Sequence, residues 1–302
     1  MDPVHPPSPA DSEAIAPSST ATGVFSTMDD GVEQVVFCRH PPSGLRAIIA
    51  VHSTALGPAL GGTRFWPYAT EGDALIDVCR LARGMTYKHA AAGLDQGGGK
   101  AVIIGDPATL RSETLIRAYA RFVDGLAGRY LTAEDVGTTQ ADMDLIRRET
   151  RHVTGVSPSL GGSGDPSPAT AWGVWHALRA AAAHRWGDDD LVGRHVVVSG
   201  VGKVGAALVE HLLDGGASVS IADVNDRAIA AVRRQAEERG RRVTVVDPGD
   251  AHRTDCDVFA PCALGAVLSE TTVPELRCEL VVGSANNQLA TEDDADRLAA
   301  RD

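Results

Sequence analysis

Short apolar runs rich in β-branched residues alternate along this chain with amphipathic runs and with clusters of glycine and proline. Runs of the first kind predict strands, and runs of the second kind predict helices. Before residue 155 the pattern predicts strands and helices over residues 33–36, 45–52, 71–87, 100–104, 112–126 and 140–150. A turn at 40–44 joins the first two strands as a hairpin, and Gly57, Gly61 and Gly62 predict a loop whose backbone approaches a ligand closely.

One further strand starts at Arg129 and runs into Glu134 and Asp135. Carboxylates at the carboxyl end of a strand are where α/β proteins place catalytic groups. A carboxylate in this position also commonly caps the following helix. The pattern favours the capping role for Glu134, which leaves Asp135 as the candidate for chemistry.

A linker rich in glycine, serine and proline over 155–168 separates this first group of elements from a second one. The second group contains a long helix and then strands that alternate with helices, with the long helix and the strands predicted over 169–186, 195–199, 218–222, 243–246, 257–260 and 280–282. This alternation is typical of a doubly wound parallel sheet. We predict an α/β protein with a disordered tail over 1–23, an N-terminal α/β substrate domain with a mixed sheet over 24–165, and a Rossmann-type dinucleotide-binding domain over 166–302.

A glycine motif lies between the first predicted strand of this second domain and the helix that follows it. Gly200, Gly202 and Gly205 follow an apolar strand and precede a helix, and Asp223 ends the next strand. In this context the glycines allow a pyrophosphate to approach the helix N-terminus, and the acid accepts hydrogen bonds from the ribose hydroxyls. The motif therefore predicts NAD as the cofactor. Lys203 within the motif is either a charge partner or a solvated helix residue, and the pattern favours the second.

Lysine is rare in this sequence, because only three of the 28 basic residues are lysines. Lys88, Lys100 and Lys203 all lie in glycine-bordered segments, whereas arginine is used elsewhere. Arginine stays protonated in proteins, but a desolvated lysine can lose its proton and act as a base. Lys88 and Lys100 are therefore candidates either for chemistry or for ordinary surface positions at the ends of a helix and a strand.

Composition and charge narrow the class of protein. The net charge of −12 at pH 7 argues against a nucleic-acid surface, so we expect small-molecule partners. Five scattered cysteines without a C-x-x-C pair suggest neither a disulfide framework nor a metal site. The sequence shows neither a signal peptide pattern nor an apolar run long enough to span a membrane. We expect a cytoplasmic protein.

Six segments carry a resemblance to a known family: GPALGGTRF from Gly57, RGMTYKHAAAGLDQGGGKAVIIGDP from Arg83, GRYLTAEDVGTT from Gly128, SGVGKVG from Ser199, APCALGA from Ala260 and GSANNQL from Gly283. Together they resemble the amino-acid dehydrogenases of the glutamate, leucine, phenylalanine and valine group. The resemblance covers residues 45–289, and within the group it is strongest to the valine and leucine dehydrogenases.

The resemblance implies NAD-dependent oxidative deamination of an L-amino acid to its 2-oxo acid and ammonia, together with the reverse reductive amination. By motif, Lys88 holds the substrate carboxylate, Lys100 is the catalytic base, and Asp135 moves protons to and from the amine. Gly61 and Gly62 flank the substrate.

The same resemblance implies further contacts and an assembly. Thr170 and Asn286 contact the nicotinamide half of the cofactor, and the family assembles as a homo-oligomer through its first domain. Family members continue beyond the SANNQL segment with elements that close the pocket, whereas this chain ends at Asp302. A catalytically weak relative that retains NAD is therefore an alternative to an efficient enzyme.

The substrate class follows from one position of the family pattern. Glutamate-specific members carry a lysine where this chain has Leu60, so an apolar side chain is expected because a carboxylate buried against leucine is costly. Ala133 leaves room for that side chain beside Leu60. A branched aliphatic substrate such as valine or leucine is the leading prediction, with L-phenylalanine as an alternative. A dehydrogenase of hydroxy acids is a more remote alternative.

Overall fold

A computed structural model describes residues 23–28 and 31–301, so the predicted disordered tail lies outside the described residues except for Gly23. The strands are β1 (Gln34–His40), β2 (Leu45–Ser53), β3 (Ala59–Trp66), β4 (Gly97–Ile104), β5 (Tyr130–Glu134), β6 (His195–Ser199), β7 (Ser218–Ala222), β8 (Thr244–Val245), β9 (Val258–Pro261) and β10 (Leu280–Val281). The helices are α1 (Val24–Thr27), α2 (Glu71–Ala91), α3 (Pro107–Leu110), α4 (Glu113–Asp124), α5 (Gln140–Arg147), α6 (Ser167–Trp186), α7 (Lys203–Asp214), α8 (Asp226–Glu238) and α9 (Asp293–Ala299).

The first sheet is mixed and has the strand order β1-β2-β4-β3-β5. β2 is antiparallel to both β1 and β4, whereas β3 is parallel to both β4 and β5. Helix α2 packs on one face of this sheet, and α4 and α5 pack on the other. The predicted hairpin and the predicted mixed sheet are therefore confirmed.

The prediction of a loop around Gly61 and Gly62 was wrong, because both glycines lie inside strand β3. A Cβ at Gly61 would lie 1.7 Å from the carbonyl oxygen of Gly99 on β4, and a Cβ at Gly62 would lie 2.6 Å from the carbonyl oxygen of Glu134 on β5. The backbone does approach closely here, but it approaches the two neighbouring strands. Glycine hides this strand from the apolar pattern, since it supplies no side chain to alternate.

The second sheet is parallel throughout and has the strand order β10-β9-β6-β7-β8. Helices α6, α7 and α8 pack on one face, and the segments around Ala251, Leu268 and Val273 cover the other. From β6 the chain continues to β7 on one side, and the later strand β9 lies on the other side. The loop after β6 therefore lies at a switch in strand order, where open α/β sheets bind ligands. This confirms the predicted doubly wound sheet.

The segment between the two sheets belongs partly to each. Val153 bridges Thr132 of β5, and Val156 lies in the first apolar core. Helix α6 packs in the second core. These contacts are compatible with a domain boundary between residues 165 and 166, which stays a prediction. Among the helices of the described ranges, none is both long and apolar enough to cross a membrane.

Gly98 on β4 generates a prediction about how α2 packs on the first sheet. A Cβ at this position would lie 2.1 Å from the Thr86 hydroxyl oxygen and 2.5 Å from the Ala82 carbonyl oxygen, both in α2. Gly98→Ala should therefore lower the free energy of unfolding by about 3 kcal/mol, because helix and strand must separate. Urea denaturation at neutral pH measures the change.

Gly173→Ala is the matched control for this change. Gly173 lies inside α6, and a Cβ there meets nothing within 4 Å. This variant should be neutral or slightly more stable, because alanine favours the helix. Equal free energies of unfolding for the two variants would contradict the packing argument.

Candidate active site

Lys100 and Asp135 meet at the carboxyl edge of the first sheet. Lys100 lies in β4 with its side chain 4% exposed, and Asp135 directly follows the last residue of β5. The Lys100 Nζ donates a hydrogen bond of 2.9 Å to the Asp135 Oδ2. β3 separates the two strands, and its glycines leave room for the Lys100 side chain to reach across. The structure thus brings together the two residues that were predicted to be catalytic.

The sequence analysis missed a second cation at Asp135. The Arg64 Nε of β3 lies 3.4 Å from the Asp135 Oδ2, and an Arg64 Nη lies 2.8 Å from the Asp77 Oδ2 of α2. The Tyr68 hydroxyl donates to the same Asp77 oxygen at 2.5 Å. We call Lys100, Arg64, Asp77 and Asp135 the charge cluster. Its two cations and two carboxylates balance, as a nearly buried group of ions requires.

The charge cluster sets the ionisation of Asp135. Burial alone acts to raise the pKa of this carboxyl, but the nearby charges of Lys100 and Arg64 outweigh it and hold the pKa below its usual value. The Thr138 hydroxyl accepts a hydrogen bond of 2.9 Å from the Asp135 backbone N–H, which fixes the loop after β5. Asp135 is therefore a carboxylate near neutral pH.

The residues predicted to flank the substrate lie in β3 and β5, and one of them, Gly62, lies against Asp135. A Cβ at Gly62 would lie 2.7 Å from the Asp135 Cβ, so glycine lets Asp135 lie directly against β3. Ala133 is half-buried and pairs with Gly62 in the parallel ladder. Leu60 is half-buried and pairs with Gly98 of β4. Gly61 is buried, and its carbonyl oxygen accepts a hydrogen bond of 2.7 Å from the Tyr130 hydroxyl.

Lys88 lies in the last turn of α2, and its side chain is exposed. Within residues 31–301 no carboxylate forms an ion pair with it. Its ammonium group is therefore available to a negatively charged ligand. One turn earlier, Gly84 lines a cavity of about 610 Å³ between α2 and residues 287–292 of the second domain.

A second cavity of about 210 Å³ lies between the two domains. Arg64 and Asp77 of the charge cluster line it from one side, and Asn286 and Asn287 line it from the other. Asn286 was predicted from the family resemblance to contact the nicotinamide. The structure places it across this cavity from Arg64, which itself contacts Asp135.

The glycine motif after β6 has the geometry that a dinucleotide requires. Gly200 has a φ of 100°, and a Cβ there would lie 2.6 Å from the Ala263 backbone nitrogen. A Cβ at Gly205 would lie 1.9 Å from the Gly200 carbonyl oxygen. At Gly202, by contrast, a Cβ would meet nothing within 4 Å, and no side chain caps the N-terminus of α7. Open space beside uncapped helix N–H groups fits a pyrophosphate.

Asp223 and Thr170 complete the predicted cofactor contacts. Asp223 follows β7, and its carboxylate accepts hydrogen bonds from the Val201 N–H at 2.7 Å and from the Asn225 N–H at 2.8 Å. The acid therefore holds the glycine loop in place while it lies where a ribose is expected. Thr170 lies in the first turn of α6, where its hydroxyl donates to the Pro166 carbonyl oxygen at 3.0 Å.

Two predictions about charged residues were wrong. Glu134 does not cap α5, because Thr139 and Asp142 form that cap, and Lys203 is not merely a solvated helix residue. The Lys203 Nζ contacts a Glu134 carboxylate oxygen and also lies 3.0 Å from the Asp165 Oδ2. No local sequence pattern predicts this contact, since it joins the two domains.

The depressed pKa of Asp135 generates a prediction about stability and pH. Asp135→Asn should lower the free energy of unfolding by about 3 kcal/mol near neutral pH, because it leaves Lys100 and Arg64 buried without their partner. A carboxyl whose pKa is lowered by folding stabilises the protein at pH values above its pKa in the unfolded chain, here 3.8. This stabilisation is lost as the pH falls through the lower pKa of the folded protein. The difference between the native chain and Asp135→Asn should therefore shrink below about pH 4.

Urea denaturation from pH 7 to pH 3 measures this difference. Asp124→Asn, at an exposed position in α4, is the control for the loss of a carboxylate alone. A difference that stays constant or grows as the pH falls would contradict the ionised state of Asp135.

Comparison with known proteins agrees with this geometry. Residues 32–152 match the family model "Glu/Leu/Phe/Val dehydrogenase, dimerisation domain", and residues 161–301 match "Glutamate/Leucine/Phenylalanine/Valine dehydrogenase". A leucine dehydrogenase of Geobacillus stearothermophilus is 55% identical over 85% of this chain and 69% of its own length. A valine dehydrogenase of Streptomyces virginiae is 56% identical over 88% of this chain and 74% of its own length.

Solved structures show the same relationship. The crystal structure of L-tryptophan dehydrogenase from Nostoc punctiforme has a TM-score of 0.65 and 40% sequence identity, and the match covers 92% of this chain and 78% of that one. The two family models together match most of the chain, and the two dehydrogenases named above are each more than half identical to it over most of its length. The chain therefore belongs to the glutamate, leucine, phenylalanine and valine dehydrogenase family of amino-acid oxidoreductases.

Proposed function

We propose that this protein catalyses the NAD-dependent oxidative deamination of a branched-chain L-amino acid to its 2-oxo acid and ammonia, and the reverse reductive amination. The observation that carries the proposal is the buried hydrogen bond between Lys100 and Asp135. It lies beside the carboxyl end of β5, and Arg64, which also contacts Asp135, lines the cavity between the two domains. The leucine and valine dehydrogenases among the relatives support the choice of substrate class.

Three residues of the first domain carry out the chemistry that the proposal requires. Lys88 binds the substrate carboxylate through its unpaired ammonium group. Lys100 acts as the base that activates water at the imine carbon once it has given up its proton, and Asp135 moves the proton to and from the amine. The hydrogen bond of 2.9 Å between Lys100 and Asp135 lets a proton pass between them without a solvent molecule.

The cofactor site supplies the second half of the proposal. The pyrophosphate would be held by Gly200, Gly202 and Gly205. Asp223 would accept hydrogen bonds from the ribose hydroxyls. Thr170 and Asn286 orient the nicotinamide ring, which takes up the hydride from the substrate Cα when NAD is bound. An acid at position 223 favours NAD over NADP, because it repels a 2′-phosphate.

The substrate pocket is apolar on the side of Leu60 and Ala133. Both residues are half-buried next to the glycines of β3, so an aliphatic side chain can pack against them without an unpaired charge. L-Phenylalanine remains the alternative substrate, and the relative that is named L-tryptophan dehydrogenase supports considering aromatic side chains.

We also propose a homo-oligomer that assembles through the first domain. β1 is an edge strand of the first sheet, and Phe37 on it is 57% exposed. An exposed aromatic residue on an unpaired edge is a typical protein–protein contact. The family model for residues 32–152 describes this region as a dimerisation domain. A cytoplasmic location stays a prediction.

One assay distinguishes this function from its alternatives. The protein is mixed with NAD and with L-valine, L-leucine, L-phenylalanine, L-glutamate or a 2-hydroxy acid, and NADH formation is followed by absorbance. Valine and leucine should give the highest kcat/KM. Turnover of the hydroxy acid alone would contradict the proposal. NADH binding without turnover of any amino acid would favour the catalytically weak, NAD-binding alternative.

Lys100→Arg tests the assignment of the base. Arginine keeps the positive charge beside Asp135 but does not lose its proton, so kcat should fall about 10²- to 10⁴-fold. The affinity for NADH, measured by fluorescence titration, should stay within about threefold, since Lys100 contacts Asp135 and not the residues of the glycine loop. Retention of most of the native kcat would rule out Lys100 as the base.

Gly202→Ala tests the cofactor site. The new methyl group enters the open space assigned to the pyrophosphate, so NADH affinity should fall about tenfold or more without loss of stability. Gly173→Ala is again the matched control, because both positions face open space but only Gly202 borders the glycine loop. Equal NADH affinities for the two variants would contradict the assigned pyrophosphate position.

A further inference from the structure

Lys203 joins three elements of the structure through one ammonium group. It is the first residue of α7, directly after the glycine loop. Its Nζ contacts Glu134 at the end of β5 and lies 3.0 Å from the Oδ2 of Asp165, which precedes α6. Asp165 in turn accepts the Ser167 N–H at 2.9 Å. The proposed cofactor loop is thereby tied to the strand that ends beside Asp135.

Glu134 depends on this contact for its charge. Its side chain is only 6% exposed, and within the described residues its second carboxylate oxygen, Oε2, has no hydrogen-bond partner. A carboxylate this buried is stable only beside a cation. Within the described ion pairs, Lys203 alone supplies that cation.

The ionisation of the other two groups agrees with a stable contact. Burial acts to lower the pKa of Lys203, but the hydrogen bonds to Glu134 and Asp165 outweigh it and the pKa is raised. Burial acts to raise the pKa of Asp165, but hydrogen bonds from Ser167 and the charge of Lys203 outweigh it and the pKa is lowered. Lys203 and Asp165 are therefore both ionised at neutral pH, as their contact requires.

We infer that Lys203 is a positioning residue that fixes the end of β5, and with it the neighbouring Asp135, against the cofactor loop. Without Lys203, the Glu134 carboxylate is left buried and unpaired, so the end of β5 must move away from α7 to reach water. Asp135 is the next residue, and it moves with Glu134. Displacement of about 1 Å at a reacting group can cost on the order of a hundredfold in rate. This inference rests on the proposed function for its rate measurements.

Substitutions at Lys203 and Glu134 test this inference. Lys203→Gln should lower kcat at least tenfold, whereas NADH affinity should change by no more than threefold, because the N–H groups of α7 remain. Lys203→Arg keeps the charge and should retain kcat within threefold. Lys203→Gln combined with Glu134→Gln should recover most of the lost kcat, because no buried charge is left without a partner.

Arg239→Gln is the matched control. Arg239 also contacts two carboxylates, Glu210 and Asp214, but it does so at the opposite end of α7 and within one domain. This variant should leave kcat unchanged. A tenfold loss of NADH affinity in Lys203→Gln that Glu134→Gln does not restore would overturn the inference, because it would show that Lys203 binds the phosphates directly. An unchanged kcat in Lys203→Gln would overturn it as well.

Unfolding measurements separate this inference from the proposed function. The coupling between Lys203 and Glu134 is obtained from urea denaturation of the two single variants and the double variant. A coupling of at least tenfold in the unfolding equilibrium constant is expected whether or not the protein oxidises amino acids. Its absence would overturn the contact itself, whereas failure of the native chain to oxidise any amino acid would overturn only the proposed function.

Discussion

The burial of ions at the carboxyl edge of the first sheet is the constraint on which the site depends. Lys100 is almost completely buried, and Arg64 and Asp135 are nearly so. Ions are tolerated at such positions only when opposite charges and hydrogen bonds lie within reach. Asp135 contacts both cations, and Asp77 forms an ion pair with an Nη of Arg64. The charge cluster is neutral as a whole, whereas the ammonium group of Lys88 at the end of α2 is exposed.

The topology of the first sheet brings these ions together. Because β3 lies between β4 and β5, Lys100 within β4 and Asp135 directly after β5 are separated by a single strand. Gly61 and Gly62 of β3 carry no side chains, and a methyl group at Gly62 would overlap Asp135. The second domain contributes Asn286 and Asn287 to the cavity that Arg64 and Asp77 line from the first domain. The same edge is therefore both the place where charge is buried and the place where the domains face each other.

The sequence predicted the elements with strong periodicity and the residues with distinctive motifs. β6 and β7 were predicted with the bounds that the structure has, because Gly200 and Asp223 mark where their apolar stretches stop. β3 was missed because two glycines interrupt its pattern. The contacts of Arg64 with Asp77 and of Lys203 with Glu134 were also missed, since each joins elements far apart in the chain. A single sequence carries no local signal for such pairs, and only the packing of the strands and helices defines them.

Transfer of the hydride from the substrate Cα is the central claim, and an isotope experiment tests it most directly. The protein is incubated with NAD and L-valine that carries deuterium at Cα, at protein concentrations near those of the cofactor, so that even slow turnover is detected. Mass spectrometry of the reduced cofactor should show one deuterium per molecule, with an equal amount of the 2-oxo acid. Reduced cofactor without deuterium, or none at all under these conditions, would contradict the assigned reaction.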